Sequence, residues 1–229
     1  MRIAIHQPNY IPWIGFFEKM ARADRFVLLD NVQYAQRTII NRNKIKGANG
    51  VILLTVPVTV KGIQDIKDIK ISDNKWKKNH ITSLIHAYGR SKYFDEYISG
   101  FKALYDEDIE NLCEWNIRII KHMKDLLGIK TELFRASELD GISNSSKNDR
   151  ILSICQKLDG SSFVLGGGSS AQYIDRELFE KNKIFIEDHP FVHPVYPQCW
   201  EEFISHLSAI DLLFNCGEKS LEVILSASQ

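Results

Sequence analysis

Apolar positions along the chain follow two rhythms. Runs and alternations mark strands; returns every three or four positions mark helices. Residues 2–6 (RIAIH) make a short apolar strand. Trp13, Phe16, Phe17 and Met20 recur at helical spacing, so 12–22 reads as an amphipathic helix. Pro12 falls in its first turn, where a missing N–H costs little. Residues 25–30 (RFVLLD) form a second buried strand that ends on a carboxylate. Strand, helix and strand in so short a span predict a βαβ unit and a parallel sheet.

The next stretch, 31–50, is polar and reads as irregular, and 51–60 (VILLTVPVTV) is a β-branched strand interrupted by Pro57. Residues 63–71 have the beat of a partly exposed strand. Helical periodicity then runs through 74–128, in about three helices separated near Gly89 and Gly100. A strand at 131–137 precedes a helix capped by Ser145 or Ser146. A strand running into a glycine turn (SSFVLGGGSS), a helix over 174–182, a strand over 183–188 and a helical tail from about 201 complete the chain. The expected fold is α/β: a Rossmann-like, three-layer, mostly parallel sheet in a single domain over 1–229, with a mainly helical insertion at about 74–128.

Charge narrows the function. Lysine plus arginine number 29 and aspartate plus glutamate 29, so no net basic field exists to hold a nucleic-acid backbone. No apolar run approaches the roughly 20 residues of a membrane span, and the N-terminus does not read as a signal peptide. Cys113, Cys155, Cys199 and Cys216 are far apart with no CxxC pair, against a zinc ribbon or a disulfide framework. The expectation is a reduced, cytoplasmic protein.

Parallel sheets bind ligands beyond the carboxyl ends of their strands. The opening loop sits there, with His6, Gln7, Asn9, Tyr10 and Trp13 between the stiffening Pro8 and Pro12. Amides and flat rings of this kind suit a base or a sugar. Asp30 ends the second strand, followed by Gln33 and by Asn41, Arg42 and Lys44, a set suited to a phosphate or diphosphate. The turn at 165–173 offers backbone N–H groups to an anion but matches no nucleotide motif. A second dense stretch, 189–200, holds His189, His193, Tyr196 and Gln198; either histidine is a candidate base. Its prolines rule out the helical geometry of a zinc motif, so no metal is expected. Asp211 lies within an apolar run and, if it faces the interior, needs a partner such as a site histidine or arginine. Cys216, beside a glycine, is a candidate low-pKa nucleophile.

The segments HQPNYIPWIGFFEKM, ADRFVLLDNVQY, NRNKIKG, HPVYPQ and LSAIDLLFNCG together resemble the WbqC-like family. That resemblance implies a bacterial protein of O-antigen, lipopolysaccharide or other surface-polysaccharide biosynthesis. It implies chemistry on an amino sugar carried by a nucleotide, such as attachment of a glycyl or other acyl group. The first βαβ also looks like the start of the HIGH-type nucleotidylyl transferases and pantoate ligases, but Trp13-Ile14-Gly15-Phe16 keeps only the glycine of their pattern. The leading expectation is a transferase that acylates the amine of a nucleotide-linked amino sugar. His6 or His193 would be the base, and Gln7, Asn9 and Gln198 would orient hydroxyls. Arg42 and Lys44 would hold the diphosphate, and Tyr10 or Trp13 would stack on the nucleobase. No tightly bound cofactor is expected; the co-substrate would be a coenzyme A or carrier-protein thioester. The alternatives are an ATP-dependent ligase or adenylyl transferase, and a non-enzymatic partner of surface-sugar enzymes.

Overall fold

The computed structural model describes residues 1–167, 172–200 and 202–226. Its centre is a parallel sheet of five strands: β1 (Arg2–His6), β2 (Arg25–Leu28), β7 (Glu132–Arg135), β8 (Ser162–Gly166) and β9 (Phe185–His189). They lie in the order β7-β2-β1-β8-β9, which in order of appearance along the chain is 3-2-1-4-5, a Rossmann-like arrangement. Both faces of the sheet are covered, which explains the continuous apolar runs in β1 and β8. Successive side chains of β1 point to opposite faces. Ala4 joins the core beneath α1 (Ile14–Arg22), with Phe16, Phe17 and Phe26. Ile3 and Ile5 join the opposite core with Ile154 and Cys155 of α5 (Lys147–Lys157) and Phe179 of α6 (Arg176–Lys181).

The first helix begins at Ile14, later than its apolar spacing predicts. Pro12 and Trp13 are engaged elsewhere: Ala209 N–H donates to the Pro12 carbonyl at 2.8 Å, and Trp13 bridges Ser208. These contacts seat α7 (Ala209–Cys216) against the start of the chain, and α8 (Ser220–Leu225) follows.

The polar stretch after β2 is not irregular throughout. Strand β3 (Arg42–Gly47) pairs antiparallel with β4 (Gly50–Thr55), Lys44 facing Leu53 and Ile45 facing Ile52. Polarity hid it because Asn43 and Lys46 point inward and are bonded there. Asn43 Nδ2 donates to the Ile11 carbonyl at 2.8 Å, and Lys46 Nζ to the Trp200 carbonyl at 2.9 Å. A small pair, β5 (Val58–Thr59) with β6 (Lys70–Ile71), replaces the longer strand expected over 63–71; between them Ile66–Asp68 form a 3₁₀ turn.

Three helices follow, α2 (Lys75–Tyr88), α3 (Phe94–Asp106) and α4 (Leu112–Leu126). Gly89 ends α2 as expected, but Gly100 lies inside α3. A Cβ there would stand 2.7 Å from the His122 ring, so this glycine serves close helix packing rather than a break. The second break is at Asn111, whose side chain caps α4 by accepting from Glu114 N–H at 3.0 Å. Ser146 caps α5 in the same way, accepting from Asp149 N–H at 3.1 Å. Among the described residues no helix is long and apolar enough to cross a membrane.

Candidate functional site at the switch point of the sheet

From β1 the chain turns through α1 to β2 on one side; it reaches β8, on the other side of β1, only after β7 and α5. The β1–β8 seam is therefore the switch point where open α/β sheets place ligands. A cleft of about 290 Å³ opens there, lined by His6, Trp13, Glu18, Lys19, Gly166 and His189, with Gly15, Gly167, Phe191 and His206 around them. His6, Trp13 and Lys19 also line an adjoining space of about 440 Å³ that reaches Gln7, Leu29 and Tyr173. These last three lead on to a further 400 Å³ bordered by Gln33, Lys147 and Arg150. The result is one groove along the carboxyl edge of the sheet.

His6 ends β1 with Nδ1 at 3.0 Å from the Gln7 carbonyl. Nδ1–H donates to it, which leaves Nε2 as the acceptor of a neutral ring. Burial, and then the charge of Lys19, push its pKa down to about 4. Lys19 Nζ donates to the Ile5 carbonyl at 3.0 Å and lies 5.5 Å from the centre of the Phe163 ring. Burial pushes its pKa down to about 8. Opposite, His189 Nε2–H donates to Glu18 Oε1 at 2.6 Å, and Arg22 Nε donates to the same oxygen at 2.7 Å. Trp13 stacks on His206, centroids 5.4 Å apart, and meets the edge of Phe191 at 4.9 Å. Its ring lies over Gly15, where a Cβ would stand 2.4 Å from an indole carbon. Here a glycine is what lets the indole lie flat on the helix.

A family model described as the WbqC-like protein family matches residues 7–223. The chain belongs to the WbqC-like family. It is 34% identical over 223 residues to Uncharacterized protein Rv1507c of Mycobacterium tuberculosis, covering 96% of this chain and 95% of that protein. No solved structure matches the chain. Membership points to an enzyme with a role in polysaccharide biosynthesis.

In this WbqC-like protein the groove gathers His6, Gln7, Trp13 and, at its far end, Gln33. Other expected site residues lie elsewhere. Tyr10 is fully buried, its hydroxyl 2.7 Å from His80 Nδ1 and 2.5 Å from the Tyr105 hydroxyl, so its ring offers no face for stacking. Asn9 is buried beside it and lines no part of the groove. Asp30 is bound by Arg135 (3.0 Å) and by the Ser137 N–H and hydroxyl (2.9 and 2.6 Å), so it holds the loop after β7 instead of a substrate. Asn41 donates to the Val56 carbonyl at 2.9 Å. Arg42 and Lys44 ride on β3, outside the groove lining.

The second dense stretch is also mainly structural. His193 spends both ring nitrogens on backbone: Nδ1–H donates to the Pro194 carbonyl at 2.8 Å, and Nε2 accepts from His206 N–H at 3.0 Å. It has no nitrogen left for a base's work, and His189 is the histidine that reaches the cleft. Tyr196 donates to Asp211 Oδ2 at 2.9 Å and accepts from Gln198 at 3.2 Å, within a buried network that includes Tyr88 and Lys46. Asp211 thus finds tyrosines, not a site histidine or arginine, and burial pushes its pKa up to about 6. Burial also pushes the Cys216 thiol up to about 11, the opposite of an activated nucleophile. In the glycine turn, Gly166 and Gly167 line the cleft, while 168–171 lie outside the described residues.

Glu18 and Lys19 are among the groove residues that the sequence did not single out, as are Phe191, His206, Lys147 and Arg150. Glu18 and Lys19 fall inside the first helix, between the apolar Phe17 and Met20, where local spacing does not distinguish them. His189, one of the two candidate bases of the second dense stretch, closes β9 as His6 closes β1 and reaches the cleft.

Proposed function

We propose that this chain is a transferase that acylates the amino group of a nucleotide-linked amino sugar in surface-polysaccharide biosynthesis. A coenzyme A or carrier-protein thioester would be the acyl donor. One observation carries the reading: His6 presents a neutral imidazole with an acceptor Nε2 at the switch-point cleft, with Trp13 on the same wall. Amide formation needs a neutral amine and a group to take its proton. The amine nitrogen attacks the thioester carbonyl, the C–N bond forms, and the C–S bond breaks. His6 Nε2 takes the proton from nitrogen and passes it to the departing thiolate. Gln7, beside His6, orients sugar hydroxyls, and the indole of Trp13 supplies a flat apolar wall. Family membership in polysaccharide biosynthesis supports the substrate class.

The test combines a thermal-shift panel with mass-spectrometric product detection. The panel holds thymidine and uridine diphosphates, their 4-amino-sugar conjugates, coenzyme A, and ATP with magnesium. A shift with an amino-sugar nucleotide, and an amide product from an acyl thioester that His6→Ala abolishes, is the expected result. A shift with ATP and magnesium alone would replace acyl transfer with the ligase reading.

A further inference from the structure

Among the described residues two lysines are buried in comparable degree, Lys19 at 8% exposure and Lys46 at 2%. Their surroundings differ. Lys46 Nζ donates to Gln198 Oε1 at 3.2 Å, to the Trp200 carbonyl at 2.9 Å and to the Glu202 carbonyl, so its three donors are used. Lys19 Nζ donates once, to the Ile5 carbonyl, and among the described residues no carboxylate forms an ion pair with it. A buried ammonium with spare donors and no counter-charge is costly unless something else supplies the charge.

The groove around it has the same bias. Among the described residues its lining includes the cations Lys19, Lys147 and Arg150 and the acid Glu18, which already accepts from Arg22 and His189. The chain as a whole is neutral, so this edge is a local excess of positive charge. Open space adjoins the Lys19 side chain, which lines both the 290 Å³ cleft and the 440 Å³ space next to it. A Cβ on Gly166 would touch Lys19 Cδ at 3.8 Å, and one on Gly167 would meet nothing within 4 Å. Several cations strung along a groove suit a polyanion better than a single carboxylate.

We propose that Lys19 is the anion anchor of the cleft and binds a diphosphate group of the ligand. The diphosphate rests on the reading above, in which a nucleotide sugar and a coenzyme A thioester both carry one. It replaces Arg42 and Lys44, which lie outside the groove, as the phosphate holder.

The experiment is titration calorimetry of uridine diphosphate and, separately, coenzyme A into wild-type protein, Lys19→Met and Lys19→Arg at pH 7. Lys19→Met is expected to weaken whichever ligand the wild type binds by about 10- to 100-fold, the range for a hydrogen bond to a charged group. Lys19→Arg is expected to restore most of it, and the ligand that responds names the source of the diphosphate. A wild-type pH series needs no variant to fold. Affinity should hold to about pH 8 and fall tenfold per unit above it as Lys19 loses its proton. The groups facing Lys19 in that series are His6 from β1, Glu18 on α1, Cys155 from α5, His189 from β9 and His206. Equal affinity in Lys19→Met, no loss above pH 8, or no binding of either ligand by the wild type would overturn the assignment. No amine or acyl group enters the titration. A failed product assay with a Lys19-dependent diphosphate site therefore rejects acyl transfer alone, and product formation with a Lys19-independent site rejects the anchor alone.

Discussion

Glu18 Oε1 accepts a hydrogen bond from His189 Nε2 at 2.6 Å, tying the first helix to the last strand of the sheet across 171 residues. The pair sets one wall of the cleft, and Arg22 Nε donates to the same carboxylate oxygen. Glu18→Gln keeps the shape but gives Arg22 and His189 an amide in place of a charge. It is expected to lose roughly 1–3 kcal/mol in urea unfolding and at least tenfold in turnover. Unchanged turnover in a destabilised variant would reduce the pair to a structural tie.

His6 makes acid stability testable. Its native pKa of about 4 lies below the ordinary 6.5, so between these values the unfolded chain binds a proton that the native state refuses. Stability contributed by His6 is therefore complete above about pH 6.5 and is lost as the pH falls toward 4. His80, also near 4, acts in the same direction, and Asp211, raised to about 6, acts against them. His6→Asn keeps a donor for the Gln7 carbonyl and removes the titration. Urea midpoints between pH 7.5 and 4.5 should fall less steeply in this variant, by about 1–3 kcal/mol over the range; parallel curves would contradict the neutral-ring assignment.

Gly15→Ala tests the role of Trp13. Helix propensity favours alanine by up to about 1 kcal/mol, yet the new Cβ would stand 2.4 Å from the indole. The ring must leave its stack on His206. The expected outcome is at least a tenfold loss in ligand affinity with a melting temperature close to wild type. Full affinity would mean that Trp13 does not shape the binding wall.

Tyr196→Phe separates fold from substrate contact. It deprives buried Asp211 of a donor and is expected to cost about 1–3 kcal/mol, with KM unchanged. A raised KM at unchanged stability would return Tyr196 to the substrate-binding set.

The parallel sheet was legible because β1, α1 and β2 carry distinct apolar rhythms in their first 28 residues. His6, Gln7 and Trp13 were legible for the same reason: the strand-to-helix turn fixes where they stand. What escaped was inward-facing polarity. Asn43 and Lys46 made a strand look like a loop, and Glu18 and Lys19, buried between apolar neighbours of one helix, did not stand out as site residues. Tyr10, Asp30 and Tyr196 erred the other way, since polar groups with partners inside the protein look the same in a sequence as groups awaiting a ligand. Such partners are distant along the chain: Asp30 meets Arg135, and Tyr10 meets Tyr105. Local spacing cannot announce them.

The 3-2-1-4-5 order also sets a timetable for synthesis. Of the five strands the middle one, β1, is made first, and its partner β8 begins at Ser162. Until β8 emerges one side of the central strand has no neighbour, an open edge of the kind that invites mispairing. The cleft cannot close until His189 has emerged. A nascent chain arrested before that point would carry His6, Trp13 and Lys19 but lack the wall that His189 and Phe191 supply.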